Sequence, residues 1–146
     1  MTGIGKCRAS LSVVLVSVAI LAWSVVSVGT ASAKATPKLL VKPATGLKNH
    51  ETVTISGTGF KPGDTVFLVE CQVKATGQAG CNTPAPFPPS VTITSKGILK
   101  ATKFKVVTGK VGNGTCGTKK TNLAKCDLSA GNAVGGDSAT YKIVFK

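Results

Sequence analysis

The sequence predicts an all-β fold, an antiparallel sandwich of six or seven short strands. Three observations carry this. Beyond residue 34, apolar and polar residues alternate with period two, and no segment there shows a 3.6-residue apolar period. Turn-forming clusters separate the alternating runs. The same region holds four cysteines, an even number suited to two disulfides in a small exported domain.

The elements follow in order. Leu39-Leu40-Val41 opens as a short strand, and Thr52-Val53-Thr54-Ile55-Ser56 alternates cleanly. Thr65 to Cys71 is more continuously apolar, as expected of a central strand. Val91-Thr92-Ile93-Thr94 alternates again. In Thr102 to Val106 the lysines face one way and Phe104 and Val106 the other; Tyr141, Ile143 and Phe145 form the bulky set of the last strand. The turns are Ala44-Thr45-Gly46, Gly57-Thr58-Gly59, Lys61-Pro62-Gly63-Asp64, Ser95-Lys96-Gly97 and Gly135-Gly136-Asp137. The expected core is Val53, Ile55, Val66 or Phe67, Leu68 or Val69, Ile93, Phe104, Val106, Ile143 and Phe145. Gly77 to Ser90, with four prolines, and Thr108 to Ala124, rich in Gly, Lys and Thr, read as loops.

The first 33 residues read as an address label. Lys6 and Arg8 are followed by the apolar stretch 11–28 and then by Ala31-Ser32-Ala33, the order of a secretory signal peptide. An uncleaved anchor helix is the competing reading, because the stretch is just long enough to span a bilayer. Its four serines and the small-residue site favour cleavage. The expected division is therefore a signal peptide at 1–33 and one domain at 34–146. The product has no membrane span and is extracellular, either free or held at the cell wall. Cys7 precedes the apolar block, so it is no lipidation site and leaves with the signal.

Cys71, Cys81, Cys116 and Cys126 remain. Four cysteines allow three connectivities, and the two equal ten-residue separations favour Cys71–Cys81 and Cys116–Cys126. A zinc site would want pairs two to four residues apart, which are absent. An antibody-type domain is excluded, since its bridge joins distant cysteines and packs on a tryptophan, and Trp23 lies in the signal.

Taken together, Val41-Lys42-Pro43, Gly46-Leu47, Val53-Thr54-Ile55-Ser56-Gly57-Thr58-Gly59-Phe60, Pro62-Gly63 and Val69-Glu70-Cys71 occur in order. Cys81-Asn82 follows, and Cys126 precedes Ser129-Ala130-Gly131-Asn132 and a final strand. In this arrangement the chain resembles the neocarzinostatin family, secreted actinomycete apoproteins that carry enediyne chromophores. The resemblance covers essentially all of 34–146. It implies a seven-stranded immunoglobulin-like sandwich with a cleft beside one end. It also implies a non-enzymatic carrier in an antibiotic or antimicrobial setting, with a DNA-binding or antibacterial role by family likeness. The only cofactor implied is a non-covalent, enediyne-like chromophore. Val73, Phe87 and Ser129 fall at cleft positions. Val73 stands where the best-known member of the family has a tryptophan, and the hairpin stretch 107–115 carries no aromatic residue.

Lys6 and Arg8 leave with the signal, so sixteen lysines face five acids in the domain. Such a field attracts polyanions, including DNA and cell-wall polymers. Without arginine, the bidentate contact to guanine is lost, and few aromatics are available to stack bases. The alternative to a carrier is therefore a basic secreted wall- or polyanion-binding module with no small-molecule ligand. The bland reading is that the lysines line solvent-facing strands. Other motifs fail on context. Gly112-Asn113-Gly114-Thr115-Cys116-Gly117 fits a nucleotide-loop pattern but opens no helix. His50 is the sole histidine, so neither a metal site nor a Ser-His-Asp relay has support. Asp64 reads as the end of a Pro-Gly turn rather than half of an acid–base pair with Glu70. No catalytic residue and no metal are expected, and the domain is read as a monomer binding a hydrophobic small molecule.

Overall fold

A computed structural model describes residues 35–83 and 88–146. The address segment and Phe87 lie outside the described residues. The described strands are β1 (Lys38–Lys42), β2 (Thr52–Thr58), β3 (Thr65–Gln72), β4 (Cys81–Asn82), β5 (Ser90–Thr92), β6 (Leu99–Lys105), β7 (Gly109–Val111), β8 (Gly114–Cys116), β9 (Cys126–Gly131) and β10 (Ser138–Ile143). A short 3-10 turn covers Gln78–Gly80. Among the described residues no helix is long and apolar enough to cross a membrane.

The strands form a three-stranded sheet, β1-β2-β6, and a five-stranded sheet, β10-β9-β3 with β4 and β5 both on the far edge of β3. β4 pairs with Glu70 and Cys71, and β5 with Thr65 to Phe67, so the two behave as one interrupted strand. On that count the sandwich has seven strands, and all the ladders are antiparallel. β7 and β8 make a separate ribbon.

Period-two alternation decides what faces inward. Leu39 and Val41 of β1, Val53 and Ile55 of β2, and Leu99 of β6 meet Val66 and Leu68 of β3, Leu128 and Ala130 of β9, and Ala139 and Ile143 of β10. Each fully buried large aliphatic contributes roughly 1.5–3 kcal/mol. Phe104 and Tyr141 are only partly buried against this core. The choice open in β3 falls on Val66 and Leu68, while Phe67 and Val69 are half-buried on the other face.

Between β2 and β6 the register slips: Ile55 faces Thr102, and Gly57 faces Leu99. Lys100 and Ala101 thus stand opposite the single Ser56, a bulge that bends the strand. The C-terminal segment is tied down by Leu47 N–H to the Val144 carbonyl (3.1 Å) and Lys146 N–H to the Leu47 carbonyl (3.0 Å).

Two expectations need correction. Thr108 to Ala124 holds the β7–β8 ribbon, and Gly77 to Ser90 holds β4 and the start of β5. Neither segment has the alternation that reveals a strand; tertiary contacts shape both. Gln72 Nε2 donates to the Val111 carbonyl at 2.9 Å. Gly112, at φ +54°, lies so close to the backbone of Ala79, Gly80 and Cys81 that no side chain fits there. The ribbon therefore leans on the loop closed by Cys71–Cys81.

Both disulfides, Cys71–Cys81 and Cys116–Cys126, are formed. The first joins directly opposed residues of β3 and β4, and the second ties β8 of the ribbon to β9.

Candidate functional site

The outer face of the five-stranded sheet is built by the same parity that builds the core. With Val66, Leu68 and Glu70 inside, β3 turns Phe67, Val69 and Cys71 outward. β9 turns out Asp127, Ser129 and Gly131; β10 turns out Ser138, Thr140 and Lys142. Register lines these up in three rows: Phe67, Gly131, Ser138; then Val69, Ser129, Thr140; then Cys71, Asp127, Lys142. The first two rows run from apolar on β3, through small on β9, to polar on β10, and the third sets Asp127 beside Lys142. Gly131 stands opposite Phe67 in the register, and Ser129 places a hydroxyl in the middle row of the face.

The Cys71–Cys81 bridge borders the apolar side of this face. Leu68 N–H donates to the Pro89 carbonyl at 2.8 Å, so the connection from β4 to β5 leaves and returns along the β3 edge beside Val69. Val73, just past β3, is half-buried and donates its N–H to the Lys125 carbonyl at 2.9 Å. Among the three residues singled out from sequence, Ser129 sits in the middle row and Val73 at the end of β3. Phe87 belongs to the β4–β5 connection but lies outside the described residues. Phe67 and Val69 stand beside Gly131 and Ser129 on the same outer face, positions that the sequence reading does not single out. Their signal was present in Thr65 to Cys71, a central strand with apolar residues on both faces.

Glu70 is the other surprise. It is fully buried. Its Oε2 accepts the Val107 N–H at 2.8 Å, and its Oε1 lies 3.7 Å from Cys116 Sγ. Burial pushes its pKa up to about 7, partly offset by the Val107 hydrogen bond. Glu70, Cys116 and Cys126 place three donor atoms within 4.8 Å of one another, yet the disulfide takes both sulfurs out of any thiolate set. Asp64 does close its turn, accepting Thr65 N–H at 2.9 Å, and its other oxygen takes Asn132 Nδ2 at 2.8 Å. Asp137, also buried, accepts the Lys61 N–H at 2.8 Å, which locks the β9–β10 loop to the same turn. His50 is exposed. A depression of roughly 350 Å³ lies on the opposite sheet, at the β2–β6 bulge.

Comparison with known proteins places this architecture. Residues 39–145 match the neocarzinostatin family. The chain is 35% identical over 115 residues to macromomycin of Streptomyces macromomyceticus, covering 75% of this chain and 76% of that protein. It is 31% identical over 121 residues to the antitumor antibiotic C-1027 apoprotein of Streptomyces globisporus, covering 75% and 80%. The solved structure of macromomycin superposes with a TM-score of 0.58 at 33% identity, covering 76% of this chain and all of that one. Fold and sequence agree, and the chain belongs to the neocarzinostatin family.

Proposed function

We propose that this chain is a non-enzymatic carrier that sequesters a hydrophobic small molecule, of the enediyne chromophore type, on the outer face of its five-stranded sheet. The observation that carries the reading is the row Val69, Ser129, Thr140, with Phe67 and the Cys71–Cys81 bridge beside it. An apolar wall with a few placed hydroxyls is the composition of a small-molecule site. Val73 extends the apolar wall from the end of β3, and Phe87 is a further candidate contact by family resemblance alone. The mechanism is burial: the ligand exchanges water for Phe67, Val69 and the disulfide, and Ser129 orients one polar group. No proton or electron moves.

The protein acts outside the cell after cleavage behind Ala33. Any attack on DNA or on competing bacteria belongs to the cargo. Phe67 and Val69 give this face an apolar strip beside its hydroxyls, which favours the carrier over a module that binds polyanions alone.

Native mass spectrometry of the protein secreted by its own host tests this. The expected result is a non-covalent adduct that survives high salt and disappears in Val69→Lys. Wild-type material with no adduct, and with no affinity for a neutral aromatic dye, would overturn the proposal.

A further inference from the structure

The outer face of the three-stranded sheet is a second surface, independent of the carrier site. β1 turns Lys38, Leu40 and Lys42 outward; β2 presents Thr52, Thr54, Ser56 and Thr58; β6 presents Lys100, Lys103 and Lys105. Register sets Lys42, Thr54 and Lys103 in one row across the sheet, with Thr52 beside Lys105 and Thr58 beside Lys38. Lysines thus line both edges, about 10 Å apart across two strand spacings, with hydroxyls between. No carboxylate stands on this face among the described residues. Glu51, at its border, is engaged by the Lys48 N–H at 2.8 Å.

Toward the Lys38 end of the same face two exposed aliphatic side chains join the lysines. Leu40 is 41% exposed and Ile98 is 38% exposed, and both line the 350 Å³ depression, with Lys38 and Lys100 also in its wall. The bulge opposite Ser56 opens this depression. Of the exposed large hydrophobics among the described residues, only Val134 lies elsewhere, in the β9–β10 loop.

We infer that this face docks on an anionic phospholipid surface. The lysines meet the headgroup phosphates, and Leu40 and Ile98 sit at the acyl boundary. Charge complementarity argues for an anionic partner, and the aliphatic pair argues for one with an apolar layer under its charges. Duplex DNA offers no such layer beneath its phosphates. Each lysine near an anionic membrane adds about fivefold in affinity, and the attraction is screened by salt.

Vesicle sedimentation of the 34–146 protein tests the inference, using phosphatidylcholine vesicles with and without phosphatidylglycerol. Expected is binding only to the anionic vesicles, weakened on the order of a hundredfold in Lys42→Gln/Lys103→Gln/Lys105→Gln. Leu40→Ser/Ile98→Ser should weaken it at least tenfold, while Lys119→Gln/Lys120→Gln/Lys125→Gln, of equal charge change, leaves it within twofold. Equal loss in both lysine triples would overturn the inference by reducing it to net charge. An unaltered Leu40→Ser/Ile98→Ser variant whose vesicle binding is fully competed by a DNA duplex would overturn it in favour of a polyanion patch. Absence of anionic-vesicle binding at low salt would overturn it outright.

Discussion

Glu70 and Val107 are joined inside the sandwich: the buried carboxylate of β3 accepts, at 2.8 Å, the amide that leads into the β7–β8 ribbon. The tie holds the ribbon to the central strand through a group whose protonation is shifted. Burial raises the Glu70 pKa from 4.5 to about 7, so the folded state keeps a proton that the unfolded chain releases. The contribution is full below pH 4.5 and is lost as pH rises through 7. At most it amounts to roughly 3 kcal/mol. Glu70→Gln keeps an acceptor for Val107 and removes the titration. Urea unfolding should show the variant equal to wild type near pH 4.5 and more stable at pH 8. Asp127 is also raised by burial, offset by Lys142. The difference between the two proteins isolates Glu70, and parallel pH profiles would refute the assignment.

The two disulfides should differ in accessibility. Cys116 and Cys126 are fully buried, whereas Cys81 is half-exposed. Mild dithiothreitol followed by thiol labelling is expected to open Cys71–Cys81 first. Replacing Cys116 and Cys126 by alanine should cost roughly 2–3 kcal/mol, from freeing the ten-residue loop.

Core and site separate by parity along adjacent strands. Leu128→Ala, inside, is expected to lose about 3 kcal/mol of stability. Val69→Ala, on the outer face, should lose less than about 1 kcal/mol and act on ligand affinity instead. Similar stability losses from the two would place Val69 in the core.

How far this was readable in sequence depends on the strand. In Thr52 to Ser56, alternation alone assigned Val53 and Ile55 to the core, because one face is wet. In Thr65 to Cys71 both faces are apolar, so parity was ambiguous and Glu70 went unrecognised as a core residue. The Cys71–Cys81 pair, directly opposed across β3 and β4, lies on the outer face and so shares it with Phe67 and Val69. The ribbon had no pattern to read, since Gln72 and the fit of Gly112 against Ala79–Cys81 place it. The disulfide frame was readable because it rests on spacing rather than on burial.

Turn geometry offers a further check. Gly97 has φ +72°, and a Cβ there would meet the Phe60 carbonyl oxygen at 2.6 Å. Its own carbonyl accepts the Phe60 N–H at 3.2 Å. Gly97→Ala should therefore destabilise by more than about 1 kcal/mol, measured by thermal unfolding. An unchanged melting temperature would contradict the turn.

The carrier account is tested most directly by amide chemical-shift mapping of the labelled 34–146 protein titrated with a neutral aromatic dye. Saturable shifts centred on Phe67, Val69, Ser129 and Thr140 are the predicted result. Shifts confined to the β1-β2-β6 face, or none at saturating dye, would contradict it.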